Sequence, residues 1–173
     1  GYFTKGIKNQ DQLKIGVEHE RFLFEAKDNK RIKYEKLYQL FKNLRKNNWE
    51  KILEKDKIIG LKKGNQQITT EPGFQCELSG APHDNIHQVC HESSNYLEEI
   101  QEASSGLGIK TASVGFDPFN SLDSIPKSPK KRYKIMTGEM PKEGVNSLDM
   151  MYRTCGLQMN YDYTSELNFE KIF

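Results

Sequence analysis

The apolar and polar positions of this chain fall into short runs with two different periods. Lys14 to Glu25 is an apolar stretch broken in its middle by Glu18, His19, Glu20 and Arg21, and it reads as a strand. Tyr34 to Lys46 places Tyr34, Leu37, Tyr38, Leu40, Phe41 and Leu44 at helical spacing. Trp49 to Leu53, Lys57 to Leu61 and Gln67 to Glu71 are strand-like, separated by Glu54-Lys55-Asp56 and by Gly64-Asn65. Asp28-Asn29-Lys30 and Pro72-Gly73 are turn signals.

Further along, Asp84 is positioned to cap a long helix that runs to about Gly106, with Ile86, Val89, Cys90, Leu97 and Ile100 as its apolar stripe. Ile109 to Phe116 predicts a strand, Asp117 to Pro129 a loop with three prolines, and Lys130 to Met140 a short helix. Met151 to Tyr163 alternates: Tyr152, Thr154, Gly156, Gln158, Asn160 and Asp162 share one face, and Arg153 falls on the other. Thr164 opens a last helix, and Tyr2 to Leu13 reads as a helix end and a connection. Strands and helices do not alternate as βαβ units. The order predicts an α+β fold in one domain, residues 1 to 173, with a curved, mainly antiparallel sheet and helices on its outer side.

Composition narrows the picture. The 173 residues suit one domain, and a formal charge of +2 from 26 basic and 24 acidic residues is too small to argue for nucleic acid. No apolar run approaches the roughly 20 residues that span a bilayer. Cys76, Cys90 and Cys155 lie far apart with no zinc spacing, and their odd count, with no secretion signal read in the sequence, favours a reducing, cytoplasmic setting. The chain starts at Gly1 and stops at Phe173 inside a helical pattern, so a piece of a longer protein is expected.

The carboxylates carry the chemistry. Residues two apart in a strand share a face, so Glu18 and Glu20 point one way and His19 the other. Such pairs are common on solvated strands. Here apolar residues surround the pair, and Glu71 and Glu77 form a second acidic segment. Like charges on one face repel unless a cation lies between them. Four carboxylates on neighbouring strands suit a hard cation such as Mg²⁺, which in turn binds phosphates. The loop after Glu71 decides the geometry. A two-residue loop puts Glu71 and Glu77 on opposite faces. A three-residue loop, Pro72 to Phe74, pairs Glu71 with Gln75 and brings Glu71, Gln75 and Glu77 to one face, and this longer loop is the expectation. The basic run Lys127 to Lys134 is a candidate phosphate contact.

These segments together resemble a known family. GVEHERFLF, DKIIGLKKG, ITTEPGFQCELSGAP, HQVC, VGFDP and LDMMYRTCGLQMNYDY are similar, in order, to the glutamate–cysteine ligases of the plant and proteobacterial type. The resemblance implies the fold of the glutamine synthetase-like carboxylate–amine ligases. It implies ATP-dependent joining of the γ-carboxyl of glutamate to the amine of cysteine through a γ-glutamyl phosphate, the first step of glutathione synthesis, with Mg²⁺ bridging ATP to protein carboxylates. By motif match, Glu18, Glu20, Glu71 and Glu77 are metal ligands. Gln158 and Asn160 complete the metal and nucleotide site. Arg132 and Arg153 are candidates for binding glutamate or phosphate, with an ion pair to an acidic neighbour the competing reading of Arg153.

The chain departs from the family pattern at several points. Phe74 stands where a second glycine is usual, Cys76 where a phenylalanine is, His83 where a leucine is, Asp84 where a glutamate is, and Gly138-Glu139 where Asn-Tyr is usual. Family members are about twice as long or more, so an inactive N-terminal portion is expected. An unpaired sheet edge would then promote self-association. In plant members a cysteine at the Cys90 position pairs with one in the later part. Without that partner, Cys90 is read as a buried thiol on the helix stripe, as Cys76 and Cys155 are read as buried thiols. His87 and His91, one turn apart, offer metal-ligand spacing, but the expectation is a capped, partly exposed pair. The competing readings are a non-catalytic metal- or nucleotide-binding or docking module, and a ligase for another amine.

Overall fold

A computed structural model describes residue 1 and residues 3–172; Phe3 is placed by its backbone only. Seven strands form one sheet: β1 (Ile15–Glu25), β2 (Glu50–Glu54), β3 (Lys57–Lys63), β4 (Gln66–Thr70), β5 (Cys76–Ser79), β6 (Ile109–Ala112) and β7 (Leu157–Tyr161). Five helices accompany it: α1 (Tyr34–Leu44), α2 (Ile86–Ser104), α3 (Lys131–Glu139), α4 (Ser147–Arg153) and α5 (Glu166–Ile172). The strand order is β2-β3-β4-β5-β1-β6, with β7 also on β1, and every strand pair is antiparallel. The molecule is the expected α+β arrangement.

The strand β1 organises the sheet. One edge of it holds β5 through residues 18–21. The other edge holds β7 through residues 15–19 and then β6 through residues 22–25. Leu23, Leu61, Ile68, Cys76 and Leu78 cover one face of the sheet. They are sealed by Leu37, Leu40, Phe41 and Leu44 of α1 and by Tyr96, Ile100 and Ala103 of α2. This burial is the main hydrophobic stabilisation of the fold. A second, smaller cluster joins Ile125, Tyr133, Met151 and Tyr152, and so ties α3 and α4 to the loop before them. No helix among the described residues is long and apolar enough to cross a membrane.

Several sequence expectations need correction. Residues 151–153 belong to α4, and β7 starts only at Leu157. Met151 and Tyr152 are neighbours and both buried, which a helical turn allows and an alternating strand does not. The cap of α2 is Asn85, whose side chain accepts from the Gln88 N–H at 3.1 Å; the Asp84 carboxylate instead pairs with Lys14. The stripe of α2 is Val89, Tyr96, Ile100 and Ala103. Ile86, Leu97 and Cys90 are exposed, so Cys90 is not a buried thiol. Cys76 is buried and Cys155 partly so. The strand expected to reach Phe116 ends at Ala112. The N-terminal segment forms two 3-10 turns, Phe3–Gly6 and Gln10–Gln12. Tyr2 and Phe173 lie outside the described residues.

A candidate carboxylate metal centre

The face of the sheet away from α1 and α2 is acidic and polar. Register places Glu20 opposite Glu77, and Glu77 opposite Thr69. Glu18 lies opposite Ser79 on one side and Gln158 on the other, and Asn160 pairs with Gly16. Cross-strand partners share a face, so Glu18, Glu20, Glu77, Gln158 and Asn160 all project from this one.

The turn between β4 and β5 decides where Glu71 goes. The Glu71 N–H donates to the Gln75 carbonyl, and the Phe74 N–H to the Glu71 carbonyl, both at 2.9 Å. This is the three-residue loop. Phe74 takes φ +60°, a region that favours glycine, and stays there because its ring is 2% exposed and packs against Tyr34. A Cβ on Gly73 would lie 2.8 Å from the Tyr152 carbonyl, so the turn also needs that glycine. Gln75 fastens the turn to the end of α4. Its Oε1 accepts from the Gly73 N–H, and its Nε2 donates to the Met151 and Thr154 carbonyls.

The result is a group of three half-buried carboxylates. One oxygen each from Glu20, Glu71 and Glu77 lies within 4.8 Å of the others, the only such gathering of three metal donors among the described residues. Donors across a six-coordinate Mg²⁺ stand about 4 Å apart, twice the bond length, so the spacing fits. Glu18 lies at the margin, where the Asn160 amide donates to it at 3.1 Å.

Electrostatics point the same way. Burial, followed by Glu71, Glu77 and Glu18, pushes the Glu20 carboxyl up to about 7, against the Gly156 N–H that donates to it at 2.6 Å. Burial also raises Glu77, with Glu71 and Glu18 adding and the Ser79 hydroxyl and Lys130 opposing. Two acids raised by burial and by their neighbours, Glu20 and Glu77, beside the Glu71 carboxylate form a site whose charge a divalent cation would balance.

Cationic and phenolic groups approach from α3. Tyr133 donates to Glu71 at 2.8 Å and to the Thr70 carbonyl at 3.3 Å. Arg132 pairs with Glu71 at 3.5 Å and donates to the Tyr133 hydroxyl. Lys130 is 8% exposed, and burial lowers its pKa although Glu71 and Glu77 oppose this. Two hollows flank the acids. One, about 450 Å³, is lined by Glu20, Glu71, Gln158, Met136, Met150 and Cys155. The other, about 390 Å³, is lined by Glu77, Thr69, Ser79, Glu54, Lys130 and Arg132. A larger hollow of about 1070 Å³ lies elsewhere, between α2 and β6, and shares none of these acids.

Arg153 does not reach the acids. It closes α4, pairs with Asp149 at 2.8 Å and stacks on Phe116 at 4.3 Å. Sequence reasoning did not single out Tyr133, Lys130, Thr69 or the Gly156 N–H. The basic run around residues 127–134 was the available signal for Lys130.

Residues 14–172 match the glutamate–cysteine ligase family 2. The chain belongs to this family. It is 43% identical over 173 residues to the chloroplastic glutamate–cysteine ligase of Arabidopsis thaliana, covering 99% of this chain and 33% of that protein. It is 42% identical over 174 residues to the chloroplastic enzyme of Solanum lycopersicum, covering 100% of this chain and 33% of that one. Ligase A of Oryza sativa subsp. japonica is 42% identical over 173 residues, with 99% and 35% covered. This family member spans about a third of the length of the curated relatives it matches.

Proposed function

We propose that this chain supplies the acidic metal centre of a glutamate–cysteine ligase. The reaction is ATP-dependent ligation of the glutamate γ-carboxyl to the cysteine amine through γ-glutamyl phosphate. The observation that carries the reading is the convergence of Glu20, Glu71 and Glu77 beside Lys130 and Arg132, in a chain of this family. Mg²⁺, when bound, would neutralise phosphate charge at the acids. Glu20, Glu71 and Glu77 are its ligands in this reading, with Glu18 at the margin. Gln158 and Asn160 border the nucleotide. Arg132 meets a phosphate or a substrate carboxylate, and its 63% exposed side chain leaves it free to turn there. Phosphoryl transfer asks for positioned charge rather than a protein nucleophile, which suits this donor set. Arg153 takes no catalytic role here, since its guanidinium is engaged with Asp149 and Phe116.

Residues 1–173 form part of one longer catalytic domain in this reading, and the chain by itself does not turn over. The free thiols fit a reducing, cytoplasmic setting. The direct test is Mn²⁺ titration of the chain followed by electron paramagnetic resonance. Binding that Glu20→Gln and Glu77→Gln each weaken strongly supports the centre; binding indifferent to both sinks it. Phosphate release is then measured with a chimera that adds the remaining two thirds of the Arabidopsis relative. Release should need glutamate, cysteine and Mg²⁺ together. Release without glutamate counts against ligation, release with another amine in place of cysteine favours a different ligase, and metal binding without any release favours a non-catalytic module.

A further inference from the structure

The loop from β5 to α2 and the first turns of α2 surround a separate hollow of about 450 Å³, lined by His83, His87, His91, Glu92, Gln66 and Asn95 among others. His87 and His91 are four residues apart in α2, so their imidazoles leave one face of the helix a turn apart. Both are exposed. His83 is fixed by its backbone, which exchanges two hydrogen bonds with Ile15 at 2.7 and 2.9 Å. Its Nε2 is buried, makes no hydrogen bond and lies 3.2 Å from Glu92 Oε1.

Glu92 supplies the second, independent observation. It is 4% exposed. Its Oε1 accepts from the Ala81 N–H at 2.9 Å, while its Oε2 is buried with no partner. A buried carboxylate oxygen without a donor is costly; Oε2 packs against Gly80, and Oε1, 3.2 Å from the unpartnered His83 Nε2, is the oxygen that a cation beside His83 would meet. Asn95 lies 3.1 Å from Nδ1 of His91. With its amide oxygen turned to that nitrogen, it would hold the Nδ1–H and leave Nε2 for a metal, the usual outer support of a ligating histidine.

We propose that His83, His87 and His91, with Glu92, form a site for a divalent transition ion, zinc foremost. Three imidazole nitrogens and one carboxylate oxygen make a borderline donor set that suits Zn²⁺ and not Mg²⁺. The site is distinct in residues and in chemistry from the all-oxygen centre of Glu20, Glu71 and Glu77. Its donors stand wider apart than those acids do, so capture of the ion would require the exposed imidazoles of His87 and His91 to rotate inward.

The experiment titrates the untagged, chelator-treated chain with Zn²⁺ in a calorimeter, with excess Mg²⁺ present to occupy the carboxylate centre. One Zn²⁺ per chain is expected, and Co²⁺ in its place should give the strong visible bands of tetrahedral, nitrogen-rich ligation. Losing a ligand should cost at least the roughly 10–100-fold that losing its outer support costs. His83→Leu therefore weakens Zn²⁺ by about tenfold or more, and the His87→Ala/His91→Ala pair by about 100-fold or more. Circular dichroism checks that these variants keep their helix. Glu20→Gln should leave Zn²⁺ affinity unchanged. No Zn²⁺ binding, binding that survives the histidine pair, or binding lost in Glu20→Gln each overturns the proposal.

Discussion

Ionising Glu20 adds a negative charge beside Glu71 and Glu77 at a half-buried position. Its carboxyl is held up at about 7, against a starting value of 4.5. In the metal-free chain this group therefore favours the folded state fully below about pH 4.5, and that contribution is lost as pH rises through about 7. Glu20→Gln should raise the urea midpoint of metal-free protein at pH 8, and the gain should fade toward pH 5, where Glu20 is already protonated. A gain that grows on acidification would contradict the assignment. At this scale the acids were legible, because Glu18-x-Glu20 and the Pro72–Phe74 turn carry their own face and register rules. Tyr133 was not. Nothing in its local sequence says that α3 will lay its hydroxyl on Glu71.

Elements are held over the acidic face by a buried ion pair. Arg31 and Asp117 have fully buried side chains 3.2 Å apart. Arg31 also donates to the Gly73 carbonyl and stacks on Phe22 at 4.4 Å. Asp117 accepts from the Phe119 and Asn120 N–H groups at 2.9 and 3.1 Å. The pair thus joins the turn that carries Glu71 to the loop that leads toward α3. Asp117→Ala should cost about 3–5 kcal/mol in urea unfolding, because it strands a buried guanidinium. The Arg31→Met/Asp117→Leu double variant should sit much closer to the parent. Equal losses in both would show that packing, not charge, is what matters there. The pattern of hydrophobic positions located most strands and α1 and α2. It failed at residues 151–153, where so few alternating residues fit a helical turn as well as a strand. It also misplaced the α2 stripe, since Leu97 is exposed while Tyr96 points into the core.

The whole sheet is open on the side of β1 that carries β6 and β7. Among the described residues β7 pairs with β1 alone. Leu157 is 65% exposed and Tyr161 54%. A strand edge with no further partner and with apolar side chains is a template for another chain. Sedimentation velocity should show concentration-dependent association, and Leu157→Lys with Tyr161→Lys should restore a monomer. A monomer at every concentration in the parent would refute this. Sequence alone could announce an exposed edge from the chain's length against its resemblance, but not which strand forms it.

One ribbon, β1, is bonded along both flanks for nearly its whole length. In hydrogen–deuterium exchange its amides should therefore be among the last to open. Glu18 and Glu20 ride on that ribbon. In the proposed centre an arriving ion would find Glu20 and its cross-strand neighbour Glu77 already set in place, and only the rim around Glu71 would have to settle on capture.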